Sequence, residues 1–107
     1  MANDQPAQFH PKVGMGATGS WWSDRHAFTV IEIKSPKCIM VQEDTSKRTD
    51  KNGMSESQSY DFTPNPEGRT YEVTLRKNNY WIPRGQDKNS TPRFSLGTRS
   101  EYYDYSY

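Results

Sequence analysis

Only ten Val, Ile and Leu residues are available to hold together a chain of 107, which carries 14 aromatics and 14 Lys plus Arg. So low an aliphatic content normally accompanies disorder, yet here the net charge is only +1 and the aromatics fall in patterned runs. The chain reads as a folded domain with a thin core in which aromatic rings do part of the work of aliphatic side chains. Trp, Tyr and Arg are also the residues that stack on flat ligands, grip phosphates and dominate subunit interfaces. The surplus therefore points to a pocket or a partner surface, and to binding more than to catalysis.

A chain of this length is one domain, and such a domain buries only roughly two thirds of the surface its unfolded form exposes. Disulfides cannot supplement that core, because Cys38 is the only cysteine. Two separated histidines and one thiol do not make a metal-ligand set either. Self-association into a homo-oligomer is the remaining route to stability. The first residues lack the charged start and apolar stretch of a secretory leader, and no segment approaches a membrane span, so a soluble cytoplasmic protein is expected.

Residues 1–12 mix polar residues with two prolines and show no periodicity, as a flexible arm would, and a single β domain is expected over 13–107. Three glycines between Gly14 and Gly19 allow close backbone approach to something, and Trp21 to His26 reads as a loop. Phe28 to Lys34 is the first clear strand, turned by Ser35-Pro36 into Lys37 to Gln42 as an antiparallel hairpin. Glu43 to Gln58 is polar and reads as a long loop. Gln58 to Thr63 and Arg69 to Lys77 read as a second hairpin, with strict alternation placing Tyr71, Val73 and Leu75 inward. Tyr80 to Pro83 and Arg93 to Gly97 are further short strands, separated by the polar loop Arg84 to Pro92. With no sustained helical periodicity, the fold class is all-β: a small SH3-like or OB-like barrel, or curled antiparallel sheet, of five or six short strands.

Three stretches, Val13-Gly14-Met15-Gly16-Ala17-Thr18, Ser23-Asp24-Arg25 followed by Thr29-Val30-Ile31-Glu32, and Leu96-Gly97-Thr98-Arg99 followed by Tyr102-Tyr103-Asp104-Tyr105-Ser106, resemble a family of small bacteriophage and prophage proteins. Arg48-Thr49-Asp50-Lys51-Asn52-Gly53-Met54-Ser55 and Arg76-Lys77-Asn78 add to the likeness, which covers nearly everything after residue 12. It implies a viral origin but no reaction, because none of these stretches is a mechanistic motif. By analogy with viral proteins of this size, it suggests counter-defence by sequestering a nucleotide immune signal of the cyclic ADP-ribose or cyclic dinucleotide type.

Asp24-Arg25-His26 sets a carboxylate, a guanidinium and an imidazole beside Trp21 and Trp22, a grouping that acid–base chemistry can use and that any polar loop can also contain. The paired His-x-Thr or His-x-Ser motifs of two-histidine phosphodiesterases are absent, and no nucleophile is marked. The glycine run could cradle phosphates but lacks P-loop and dinucleotide-fold spacing, and reads better as a bent or bulged first strand of a tight barrel. A non-enzymatic protein without cofactor is therefore expected. Nucleotide recognition needs flat surfaces, cations and amides. Trp21, Trp22, Tyr80, Trp81 and the C-terminal tyrosines supply the first; Arg25, Arg48, Arg76, Arg84 and Arg99 the second; Asn52, Asn78, Asn79 and Ser23 the third.

The expected site comprises Trp21 and Trp22 for stacking, Arg25, Arg48, Arg76 and Arg99 for phosphates, and Asp24 and Asn52 for ribose or base edges. A single-stranded nucleic-acid binder would draw on the same residues, although a pI near 7.8 suits a ligand with few phosphates better than a polyanion. An inhibitor acting by contact with a host protein is the third possibility. Between Arg69 and Arg99 the local balance is +5, seven basic residues against two acids, which either faces an anion or is neutralised by acids of neighbouring strands.

Overall fold

The computed structural model describes residues 10–49, 60–87 and 89–101. Those residues form eight strands and no helix: β1 (Gly16–Trp21), β2 (Asp24–Ser35), β3 (Cys38–Glu43), β4 (Thr45–Arg48), β5 (Tyr60–Thr63), β6 (Thr70–Leu75), β7 (Trp81–Pro83) and β8 (Arg93–Leu96). Six of them close an antiparallel barrel in the order β1-β2-β3-β6-β7-β8, with β8 returning to pair with β1 (Ala17 opposite Leu96). The all-β barrel expected from the sequence is the fold. Strands β4 and β5 form a separate two-stranded sheet inserted between β3 and β6.

Two expected features of the chain path are corrected. The expected loop Trp21 to His26 is mostly strand: β1 and β2 stay paired to Trp21 opposite Asp24, so only Trp22 and Ser23 turn, while β1 begins within the glycine run at Gly16. The expected second hairpin is also re-partnered. β6 pairs with β3, Ile39 opposite Val73 and Val41 opposite Tyr71, while β5 pairs with β4. The connection Pro64 to Gly68 contains two prolines, which cannot donate to a ladder, and it is tied to β3 instead. Gln42 Nε2 donates to the carbonyls of Pro66 (3.0 Å) and Gly68 (3.1 Å). Thr45 to Arg48, read as loop, is a strand because Tyr60 and Phe62 on β5 give it a partner.

The aromatic surplus is partly absorbed by the core. Phe28, Trp81 and Phe94 are fully buried with Val30, Ile39, Val41 and Val73, and Met15, Trp21, Tyr71 and Leu75 pack against them. Phe28 and Phe94 meet edge to face at 4.9 Å, the arrangement that aromatic quadrupoles favour. Tyr71, Val73 and Leu75 face inward as the alternation of β6 requires. The long strand β2 bends around the barrel through register shifts between Val30 and Glu32 and between Ile33 and Ser35. Across those irregularities Ile31 and Ile33 are left exposed.

The expected arm, residues 1–12, falls mostly outside the described residues, as do Asn52 and the C-terminal tyrosines.

Candidate functional site

With Phe28, Trp81 and Phe94 used in the core, Trp22 and Tyr80 are the large aromatics left exposed among the described residues. Trp22 is 87% exposed at the tip of the β1–β2 hairpin. Its φ of 37° lies in the left-handed region, where a bulky residue carries strain of roughly 1 kcal/mol or more. A turn that holds the largest side chain in an unfavourable backbone conformation and leaves it in water makes little sense as packing. It makes sense as a presented contact surface.

Tyr80 is presented by a second tight turn. Asn79 has φ 69°, Asn78 Oδ1 accepts from Tyr80 N (3.2 Å), and Arg76 N donates to Tyr80 O (3.0 Å). Across it, the Arg93 guanidinium from β8 lies 5.1 Å from the Tyr80 ring centroid, a cation–π contact that covers one face of the ring. Trp22, Tyr80 and Arg93 line an open groove of about 750 Å³, with Ser20 at its base. Its other wall is the β7–β8 loop, through Gln86, Asn89, Ser90 and Thr91. That loop is braced from within: Ser90 N donates to Asp87 O (2.8 Å) and Asn89 N to Asp87 Oδ1 (2.9 Å). The groove therefore offers rings, one guanidinium, amides and hydroxyls, and no carboxylate among its lining residues.

Of the seven expected site residues that are described, Trp22 alone lines this groove. Arg76 instead braces its wall, donating to the carbonyls of Gln86 (2.7 Å) and Pro83 (3.2 Å) and to Thr74 Oγ1 (2.7 Å). Arg99 is bound to Asp44 Oδ2 (2.7 Å), whose side chain is fully buried, and to Thr29 Oγ1 (2.9 Å). Arg25 Nε donates to Ser100 Oγ (3.0 Å), and Arg48 is half-buried on β4 opposite Tyr60. Trp21 and Asp24 lie together in a smaller hollow of about 240 Å³ with His26, Glu43 and Arg69. Trp81, expected as a stacking surface, is core. Much of the basic stretch is neutralised by acids: Arg84 Nη1 meets Glu72 Oε2 at 2.7 Å and Arg69 approaches Glu43 at 3.9 Å. The Arg84 bond, with further donation from Cys38 and Lys34, pulls the Glu72 carboxyl down to about 2.

The five residues after β8 run back along β1 and β2 as a strap. Gly97 N donates to Gly16 O (2.8 Å), and Thr18 Oγ1 to Thr98 O (2.9 Å). Glu101 ends the strap by accepting from Ala27 N (3.1 Å), Ser46 Oγ (3.1 Å) and His26 Nδ1 (2.7 Å), so it joins barrel and β4–β5 sheet. The Glu101 hydrogen bond raises the His26 pKa; burial opposes this, and the carboxylates of Glu101, Glu43 and Asp24 add to it. Because the folded pKa lies above the ordinary 6.5, the pair's contribution is complete below that value and is lost as pH rises through the raised pKa. An NMR titration of the His26 ring is expected to give a pKa above 6.5 that returns toward it in Glu101→Gln. The stability difference between the two proteins should shrink at alkaline pH; an equal difference at both extremes would remove the charge from the strap's anchoring.

Among the described residues no cluster of His, Cys, Asp or Glu is arranged to hold a metal ion. No described segment is a helix long and apolar enough to cross a membrane. The chain matches no protein-family model, no curated protein and no solved structure at a significant level.

Proposed function

We infer that this domain is a non-enzymatic binding module for a nucleobase-bearing ligand, held in the groove between Trp22, Tyr80 and Arg93. The observation that carries this reading is the strained, almost fully exposed Trp22 beside a tyrosine already stacked by an arginine. Flat π-systems meet on such surfaces, and the amides of Gln86 and Asn89 supply donors and acceptors for a base edge. The likeness of several stretches to bacteriophage and prophage proteins supports a viral setting. In that setting the ligand is either a host nucleotide signal of the cyclic ADP-ribose or cyclic dinucleotide class, or nucleic acid itself.

Trp22→Ala is expected to weaken nucleotide binding about tenfold or more, since stacking is worth roughly 1–3 kcal/mol per base. Its thermal stability should be little changed, because the ring is almost fully exposed and alanine keeps the Cβ that the left-handed backbone disfavours. Isothermal titration with mononucleotides, cyclic dinucleotides and a short oligonucleotide measures this, and undiminished affinity in Trp22→Ala would move the site elsewhere.

A separate observation favours a second reading, self-association. Val13 (65% exposed), Ile31 and Ile33 leave apolar surface on the outer side of bulged β2, and the chain before β1 follows that strand through Gly14 N donating to Val30 O (2.8 Å). A second copy of this chain covering that face would supply the core area that ten aliphatics do not.

A further inference from the structure

We propose that the groove's ligand is single-stranded nucleic acid, lying across the outer face of β1, β8 and the start of β7 and held mainly by stacking instead of by phosphate charge. The inference rests on the nucleobase reading above and narrows it to an extended ligand.

Three features separate a strand from a small soluble nucleotide. The first is shape. Pockets that retain small molecules bury most of the ligand's surface, whereas this groove stands about half open to solvent. An open site gains affinity by repeating a modest contact along a linked ligand.

The second is the spacing of its platforms. Trp22 stands on the β1–β2 turn and Tyr80 at the entry to β7, with β8 between the strands that carry them. Adjacent strands lie roughly 4.8 Å apart, so the strands that carry the two rings are two spacings apart and the rings are offset along them as well, which makes them separate platforms for different bases of one strand. Trp22 is open to solvent, while Arg93 occupies one face of Tyr80 and leaves the other.

The third is charge. The second hollow contains Asp24 and Glu43, which would repel a phosphate, but the groove has Arg93 and no lining carboxylate. The sign suits an anionic strand; the amount is small. Arg69, Arg84 and Arg99 are each committed to a carboxylate and Arg76 to backbone carbonyls, so among the described residues Arg93 is the one cation lining the groove for a phosphate. Single-strand binding loses about 0.7 in log affinity per log unit of salt for each phosphate neutralised. One contact predicts a fall of about 2.5-fold between 50 and 200 mM salt, where six contacts would predict a fall of several hundred-fold.

The test is fluorescence titration of the full chain with oligo-dT and oligo-U of one to eight nucleotides, alongside a cyclic dinucleotide, at both salt concentrations. The expected result is affinity that rises at least tenfold from one to three nucleotides, then levels, with a salt loss of a few-fold, and that drops in Trp22→Ala and in Tyr80→Ala but is preserved in Tyr80→Phe. Circular dichroism of each variant excludes unfolding as the cause. Cyclic dinucleotide or mononucleotide binding as tight as the trimer would overturn the single-strand inference and leave the nucleobase reading standing. A salt loss of a hundredfold or more would overturn stacking as the main contribution, and no binding by any of these probes would overturn both.

Discussion

Replacing Arg99 by alanine is expected to lower the unfolding free energy by about 3 kcal/mol, within the range for stripping one partner from a largely buried ion pair. Asp44 is the reason. Its side chain is fully inaccessible, Thr29 Oγ1 donates to its Oδ1 (2.6 Å), and Arg99 Nε meets its Oδ2 at 2.7 Å. Without the guanidinium a carboxylate stays buried with one neutral hydrogen bond to its side chain, and Thr29 Oγ1 also loses the donor it accepts from. Arg99 itself is 29% exposed, so water repairs part of the loss and the effect falls short of that for a fully buried pair. Asp44→Asn in the Arg99→Ala background should recover a good part of it by removing the orphaned charge. Urea unfolding of the four proteins of this cycle gives the coupling. An Arg99→Ala protein as stable as the parent would mean that the Arg99–Asp44 pair contributes nothing to the barrel.

That arginine also shows where sequence reasoning stops. Arg25, Arg48, Arg76, Arg84, Arg93 and Arg99 are chemically alike on the page, and which of them meets a carboxylate is decided by register between distant strands. Asp44 and Arg99 lie 55 positions apart, and Arg99 sits beyond the last strand, where no periodicity applies. Arg93 was visible as part of a basic stretch, and Tyr80 as one of several flat surfaces, but only the barrel's closure brings them to Trp22. The same holds for the adjacent tryptophans. Trp21 is the last residue of β1 and packs on Phe28 and Phe94, while Trp22 is the first turn residue and faces water, so a one-residue uncertainty in the turn exchanges their roles.

What was legible depended on local pattern. The alternation of Tyr71, Val73 and Leu75 identifies β6 and its inner face, and Ser35-Pro36 between two β-branched runs identifies the β2–β3 hairpin, because both signals lie within a few residues. The partner of β5 was not legible. Thr45-Ser46-Lys47-Arg48 contains no apolar residue, and it becomes a strand only through pairing with Tyr60 to Thr63. The β7–β8 loop gave one usable signal: a long polar segment between two short aromatic strands, which is where binding residues tend to be carried.

The glycine run offers the sharpest remaining contrast, between a cradle for phosphate and a device for packing, and substitution separates the two. A Cβ on Gly19 would lie 2.7 Å from Phe94 Cε2, 2.9 Å from Phe28 Cε1 and 3.1 Å from Trp21 Cζ3. Those rings are interlocked: Phe28 and Phe94 are fully buried, and neither can move without displacing the other. Gly19→Ala is therefore expected to destabilise by about 2 kcal/mol, and Gly19→Val by more than 3, through overpacking that a close-packed interior cannot absorb. For a domain of this size 2 kcal/mol corresponds to a fall in Tm of roughly 10 °C. Gly16 is the internal control. Its added Cβ would meet Arg99 Cγ and Nη1, both at 2.9 Å, which belong to a flexible side chain that can shift at the expense of its bond to Asp44. Gly16→Ala should therefore cost less than Gly19→Ala, and its effect should largely vanish in the Arg99→Ala background, whereas that of Gly19→Ala should persist there. If Gly19→Ala melts with the parent protein yet loses nucleotide binding, the glycines serve a ligand and the packing account of β1 is wrong.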